Sequence, residues 1–261
     1  MAYLRTVPAA DILKAMDGIR AAGLMLDVNW DGQLLPSFPP EVYRQGKELA
    51  IPLMIGNNGQ EMPLAGGGRG RAPVSGNMTE LLTSAVGNFY GKYPDLLSRA
   101  SSVYGLDGSG QVSTYPPWGD AGSQFRADTS FRCEAVALAA WHSKVAPVYE
   151  FEFAGGTAAH PPSHSSELKY VFGLLDDQAA DPAARRLSEA MQQYWVNFAK
   201  TGNPNGVGLP EWPKFDGANK RYLELSMEGP LPKAALRNQA CTIYSDKLNR
   251  DLDELSQAAP R

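Results

Sequence analysis

Ala50 to Asn58 reads AIPLMIGNN, a short continuous apolar run stopped by Gly56 and two asparagines. A run of that length bounded by turn residues marks a strand buried on both faces, and such strands belong to parallel sheets, whose crossover connections carry helices onto each side. Two further strand-like runs follow, PVYEFEF (Pro147 to Phe153) and YLELS (Tyr222 to Ser226), with helical patterns between them. Strands alternating with helices predict an α/β architecture in which Ile51–Gly56, Val148–Phe153 and Tyr222–Ser226 are neighbouring parallel strands of one sheet covered by helices. Three strands make a thin sheet for 261 residues.

The helical patterns are uneven in strength. ADILKAMDGI places Ile12, Leu13, Met16 and Ile19 at helical spacing before Gly23, and a short helix is expected at Glu41 to Gln45 after an irregular stretch with a DG turn at Asp31 and a PP pair. Further helices are predicted over Thr79–Tyr90, Asp95–Tyr104 and the alanine-rich Asp128–Ser143, which carries Cys133 and Trp141. The strongest is DPAARRLSEAMQQYWVNFAKTG: Asp181 is placed to cap it, Pro182 fits its first turn, and Gly202 stops it. Its apolar face runs through Leu187, Met191, Tyr194, Trp195 and Phe198. IYSDKLNRDLDEL is a last amphipathic helix. The 26 Gly and 20 Pro point to many loops. The glycine-rich LAGGGRGRAPVSGN reads as a mobile surface loop, because no GK[ST] follows to make it a phosphate cradle.

Composition excludes several classes. With 43% hydrophobic and 20% charged residues the chain can bury a core as one large domain or two small ones. A net charge of -4 with Lys and Arg spread along the length offers neither a nucleic-acid stripe nor a polybasic membrane patch. Cys133 and Cys241 lie far apart and fit no metal or CxxC spacing, so both are expected as ordinary buried or half-buried thiols. The start lacks the apolar run of a signal peptide and no segment reaches membrane-span length. A soluble, non-exported protein is therefore expected, cytoplasmic if Met1 is the true start.

The chemistry lies in the loops after the first two strands. Glu61 follows the carboxyl end of the first, the edge of an open α/β sheet where functional groups gather. The loop after PVYEFEF is HPPSHSSELKYVFG, which holds His160 and His164, two of the three histidines. An acid and then an imidazole is the later part of the Ser, Asp/Glu, His order of α/β-hydrolases. The first part is missing: a G-x-S-x-G elbow needs Gly two residues to either side of Ser, and Ser75, Ser109 and Ser123 all lack it, while no HGGG-type segment offers oxyanion donors.

The motifs PLMIGNNGQEM, DTSFRCEAVALAA…APVYEFEF, HSSELKYVFG and QQYWVNFAKTGNPN…LPEWPKFD, preceded by YLRTVPAADIL and DGQLLPSFPPEVYRQG, follow one another in register over nearly the whole chain. Together they resemble the C-terminal half of the type-B carboxylesterase family, the para-nitrobenzyl esterase and cholinesterase-like enzymes. The resemblance implies an α/β-hydrolase fold, with residues 1–261 as the C-terminal part of a single domain whose N-terminal half, carrying the Ser elbow, is absent. It implies that the G-x-N-x-x-E motif falls on Gly56, Asn58 and Glu61, and the H-x-x-E motif on His164 and Glu167. His164 is then the catalytic base, Glu61 the acid that orients it, and Glu167 a supporting residue. Met62 departs from the family, which usually has Gly after the acid. The family often pairs the cysteine at the position of Cys133 with one in the long helix; this helix has none, so Cys133 is expected to be free.

The function expected is carboxylic ester hydrolysis of the serine-hydrolase type on small-molecule esters, with no metal or organic cofactor and no nucleophile in this chain. The missing half or self-association would cover the open sheet edge. The alternative is a non-catalytic, cholinesterase-like binding module, which retention of both Glu61 and His164 argues against. A third reading, an unrelated hydrolase using Ser75 or Ser109, lacks elbow geometry. His142 is expected on a helix face, His160 beside the site's mouth, and Asp31 as a turn former.

Overall fold

In the computed structural model, which describes residues 3–21, 32–35, 37–64, 77–108, 119–157, 159–176 and 181–258, the three apolar runs are strands of one sheet. Asp31, Ser75, Ser109 and most of the glycine-rich stretch lie outside the described residues. The chain divides into two units, residues 1–39 and 40–261. The first holds a 3-10 turn (Tyr3–Arg5) and α1 (Ala9–Ala21), on which Ile12 and Leu13 are exposed.

In the second unit, β1 (Leu53–Asn58), β2 (Val148–Ala154) and β3 (Arg221–Ser226) run parallel in that order, with Gly56 opposite Phe151 and Phe153 opposite Leu225. A fourth strand, β4 (Gly229–Ala234), pairs antiparallel with β3 through a tight hairpin. Its sequence, GPLPKA, carries two prolines, which argue against a strand. They are tolerated because alternate residues direct their backbone nitrogens to the same side, so Pro230 and Pro232 both leave the missing N–H on the unpaired outer edge.

Alternation along β2 sorts its side chains between the two faces. Tyr149, Phe151 and Phe153 pack with Leu187, Met191 and Tyr194 of α8 (Pro182–Thr201) and with Trp212. Val148 lies on the other face with Leu53, Ile55, Phe215 and Ala139. Glu150 and Glu152 share that second face by register, and both are fully buried. α8 forms where its caps demand: an Asp181 carboxylate oxygen accepts the Ala183 N–H at 2.7 Å, and Gly202 ends it at φ 72° with its N–H on Phe198 O.

The remaining helices include α2 (Pro39–Arg44), α3 (Met78–Tyr90), α4 (Pro94–Val103), α5 (Ala121–Ala127), α6 (Cys133–His142), the short α7 (Leu168–Val171) and α9 (Asn238–Ala258). Leu82, Val86, Tyr90, Leu96, Tyr104, Phe125, Val136 and Ile243 join α3 to α6 and α9 in a second core cluster. The helix expected from Asp128 begins seven residues earlier as α5, and Asp128–Arg132 form a π-helical turn between α5 and α6.

One expectation is corrected outright. Cys133 and Cys241 are not thiols; they form a disulfide, with Cα atoms 4.7 Å apart across 108 residues of sequence. The partner sits at the start of α9, not in the long helix α8. Only the packing of α6 against α9 brings the two together, so sequence spacing carries no trace of the bond. Among the described residues no helix is long and apolar enough to cross a membrane.

Candidate active site

β1 can approach β2 at its functional end because residue 56 is glycine: a Cβ there would lie 2.3 Å from the Phe151 carbonyl oxygen. Beyond Asn58 the chain turns away from the sheet. Gly59 N–H donates to Phe153 O at 2.9 Å and Gln60 N–H to Pro162 O at 3.2 Å, which seats the turn on the end of β2 and the histidine loop. Glu61 then takes φ +56°, a left-handed conformation that costs a non-glycine residue of order 1 kcal/mol. The position carries a carboxylate despite that cost, held by its contacts with the opposite loop. Met62, which departs from the glycine usual after the acid in the family, takes no positive φ, so the left-handed turn sits on the acid itself.

The two loops meet at Glu61 and His164, 103 residues apart in sequence. His164 N–H donates to the Glu61 carbonyl at 2.8 Å, and its ring Nδ1 lies 2.8 Å from Glu61 Oε2. The other carboxylate oxygen, Oε1, accepts the Asn58 backbone N–H at 2.7 Å. A carboxylate facing Nδ1 selects the tautomer protonated there, so a neutral His164 presents an unprotonated Nε2 on the opposite side of the ring. Glu61 is only 5% exposed, whereas the His164 side chain is 48% exposed. Burial raises the Glu61 carboxyl above its ordinary range, opposed by the Asn58 N–H and by the hydrogen bond and charge of His164.

Glu167 is tied into the same arrangement. Asn58 Nδ2 donates to Glu167 Oε2 at 2.5 Å and to Ser163 O at 2.7 Å, so the middle of the G-x-N-x-x-E motif braces the H-x-x-E loop. The structure thus brings Glu61, His164 and Glu167 together. His142 is buried in the last turn of α6, with Nδ1 2.8 Å from Glu48 Oε1 and Nε2 2.8 Å from Ile51 O, where it braces the entry to β1. His160 is exposed on its loop. Ser123 is buried in α5, its N–H capped by Asp120, and forms no strand-to-helix elbow.

Sequence reasoning missed two residues here. Phe131 packs its ring 5.0 Å from that of His164, and Arg132, fully buried, donates to the carbonyl of Gly59. The available signal was a charged residue amid the small and apolar residues around the expected alanine-rich helix. Beside the site an apolar groove of about 770 Å³ lies over β1 and β2 between α7 and α8, lined by Met54, Ile55, Phe151, Phe172, Trp195 and Val196.

A mixed sheet whose parallel strands β1 and β2 present an acid and a histidine from their carboxyl ends matches the later part of the α/β-hydrolase arrangement. A model of the carboxylesterase family matches residues 1–244, and the chain belongs to that family. It is 30% identical to the para-nitrobenzyl esterase of Bacillus subtilis (strain 168) over 86% of its own length and 45% of the relative's. It is 29% identical to liver carboxylesterase 1F of Rattus norvegicus, over 75% of this chain and 36% of that protein. A solved PNB esterase superposes with a TM-score of 0.69 at 28% identity, covering 91% of this chain and 49% of the other. The chain therefore spans about half the length, or less, of the relatives it matches.

Proposed function

We propose that this chain supplies the acid and base of a carboxylic ester hydrolase of the serine type. The observation that carries the reading is the 2.8 Å contact of His164 Nδ1 with the buried Glu61 carboxylate, which leaves Nε2 free to work on the exposed side. In the reaction, His164 Nε2 takes the proton of an attacking serine hydroxyl and returns it to the leaving alcohol. Glu61 holds the tautomer and stabilises the imidazolium that forms between the two steps, while Glu167, through Asn58, keeps the histidine loop in place. Substrates are small-molecule carboxylic esters.

The serine and the oxyanion donors are assigned to a segment outside these 261 residues, since none of the serines here has elbow flanks. Support for this comes from the half-length coverage of the solved esterases and from the groove on β1, whose exposed Phe172 and Val196 offer that segment an apolar seat. Residues 1–261 are then the C-terminal part of one α/β-hydrolase domain.

The test is hydrolysis of p-nitrophenyl esters by the 261-residue chain, alone and with the segment encoded upstream supplied in cis or as a separate chain. The expected result is no serine-dependent turnover alone, turnover on addition, and loss of most of it in His164→Ala. Robust activity from the chain alone, with a fluorophosphonate probe attached to one of its own serines, would overturn the assignment. Failure of any upstream segment to restore turnover would favour a non-catalytic binding module instead.

A further inference from the structure

The acid loop is held from behind as well as from the histidine side. The carbonyl of Gly59, two residues before Glu61, accepts from Arg132 Nη2 at 2.7 Å and from Gln124 Nε2 at 3.3 Å. Arg132 is itself clamped: Nε lies 3.1 Å and Nη2 3.0 Å from Glu152 Oε1 on β2, and Nη1 reaches Gln124 Oε1 at 3.2 Å and Asp128 Oδ1. Asp128 is shared with Arg237 Nη2 at 2.7 Å and with the Tyr104 hydroxyl at 3.0 Å. Two guanidinium groups thus face two carboxylates, the balance that lets such charges be buried at all.

Stability alone does not account for this set. Replacing a buried ion pair by apolar side chains of similar volume is often neutral or stabilising, because desolvation offsets the Coulomb gain. What an apolar pair cannot supply is a rigid, forked donor aimed at a main-chain carbonyl while its other edge is held by carboxylates. The π turn that carries Arg132 also presents Phe131 to the His164 ring, so adjacent residues of one turn support both members of the pair. A widened turn of this kind is frequent at functional sites.

We propose that Arg132 is a positioning residue of the acid–base pair: by fixing the Gly59 carbonyl it fixes the left-handed turn that aims the Glu61 carboxylate at His164 Nδ1. The role rests on the reading of Glu61 and His164 as such a pair, and the experiment separates the two.

Diethyl pyrocarbonate acylates an unprotonated imidazole nitrogen, and a carboxylate held on Nδ1 makes Nε2 the better nucleophile. The 261-residue chain is treated with this reagent over a pH series. The carbethoxylation rate of His164 on its alkaline plateau, where the protonated fraction no longer limits it, is read by peptide mass spectrometry against the plateau rate of exposed His160. Glu61→Gln lowers the ratio severalfold. Arg132→Met combined with Glu152→Met removes both charges of one pair, leaves Asp128 with Arg237, and is expected to lower the ratio to the Glu61→Gln level while unfolding stays cooperative. If that variant does not unfold cooperatively, Arg132→Lys, which keeps the charge and loses the fork, decides the matter, again with a severalfold fall expected. A wild-type ratio in a folded Arg132 variant, alongside a lowered ratio in Glu61→Gln, would reduce Arg132 to a structural role. An unchanged ratio in Glu61→Gln itself would overturn the acid–base reading, and the positioning role with it.

Discussion

Replacing Glu150 by leucine is expected to stabilise the protein, and by an amount that grows with pH. Glu150 stands in the middle of β2, fully buried, and neither carboxylate oxygen has a hydrogen-bond partner. Burial raises its pKa to about 8, with a further contribution from the neighbouring Glu152 charge, against the attraction of Lys220 and Arg132. In the unfolded chain the same carboxyl titrates near its ordinary value of 4.5. Below that value both states hold the proton and the group imposes no pH-dependent cost. Between the two values the unfolded chain releases the proton while the folded one keeps it, so folding loses about 1.4 kcal/mol per pH unit. Above about pH 8 the loss is complete.

Leucine has a similar volume and no proton to lose. Urea unfolding of wild type and Glu150→Leu, followed by tryptophan fluorescence and far-ultraviolet circular dichroism at about pH 5.5 and about pH 7.5, isolates the effect, since every other titrating group is common to both chains. The stability advantage of the variant is expected to widen by about 3 kcal/mol between the two conditions. An advantage of the same size at both pH values would refute the reasoning, because it would mean that water or a donor reaches the carboxylate in the folded state.

Two further outcomes are expected. Replacing Cys133 and Cys241 together by alanine opens a cross-link spanning 108 residues, and the unfolding free energy should fall by about 2–5 kcal/mol. Equal urea midpoints for that variant and the oxidised wild type would count against the bond. Gly56→Ala forces a methyl group against the Phe151 carbonyl and should cost about 1–3 kcal/mol or more, together with a lower His164-to-His160 acylation ratio. Gly87→Ala in α3, where an added Cβ meets nothing within 4 Å, is the control: it should raise stability by up to about 1 kcal/mol through helix propensity and leave the acylation ratio near wild type.

Much of the scaffold was legible because it is written in short-range terms. The apolar run at Ile51–Gly56 does mark a parallel strand, though β1 runs Leu53–Asn58, its first four residues are half-buried rather than buried on both faces, and Ile51 is exposed. α8 begins and ends where Asp181, Pro182 and Gly202 stand. The two motifs also fixed which acid and which imidazole to compare, and the structure brings those two side chains to 2.8 Å. β4 was missed because proline is a breaker by local rules, and only its place on the sheet edge excuses Pro230 and Pro232. The helical stretch before Cys133 extends back through α5 (Ala121–Ala127), which a helix expected only from Asp128 omits; the π turn at Asp128–Arg132 joins α5 to α6 and breaks the simple 3.6-residue period between them.

The sequence by itself determined the α/β order of elements, the candidate acid and base, and the absence of a serine elbow from these residues, all of which depend on neighbours along the chain. Tertiary structure alone decided that Cys133 meets Cys241, that Arg132 reaches Gly59 across the end of the sheet, that Phe131 lies on His164, and that Glu150 is sealed from water. Each of these joins or encloses groups far apart in sequence. Their contact energies arise only after the crossover connections have closed, when burial strips the groups of water and leaves each to find a partner in the protein or, like Glu150, to keep its proton.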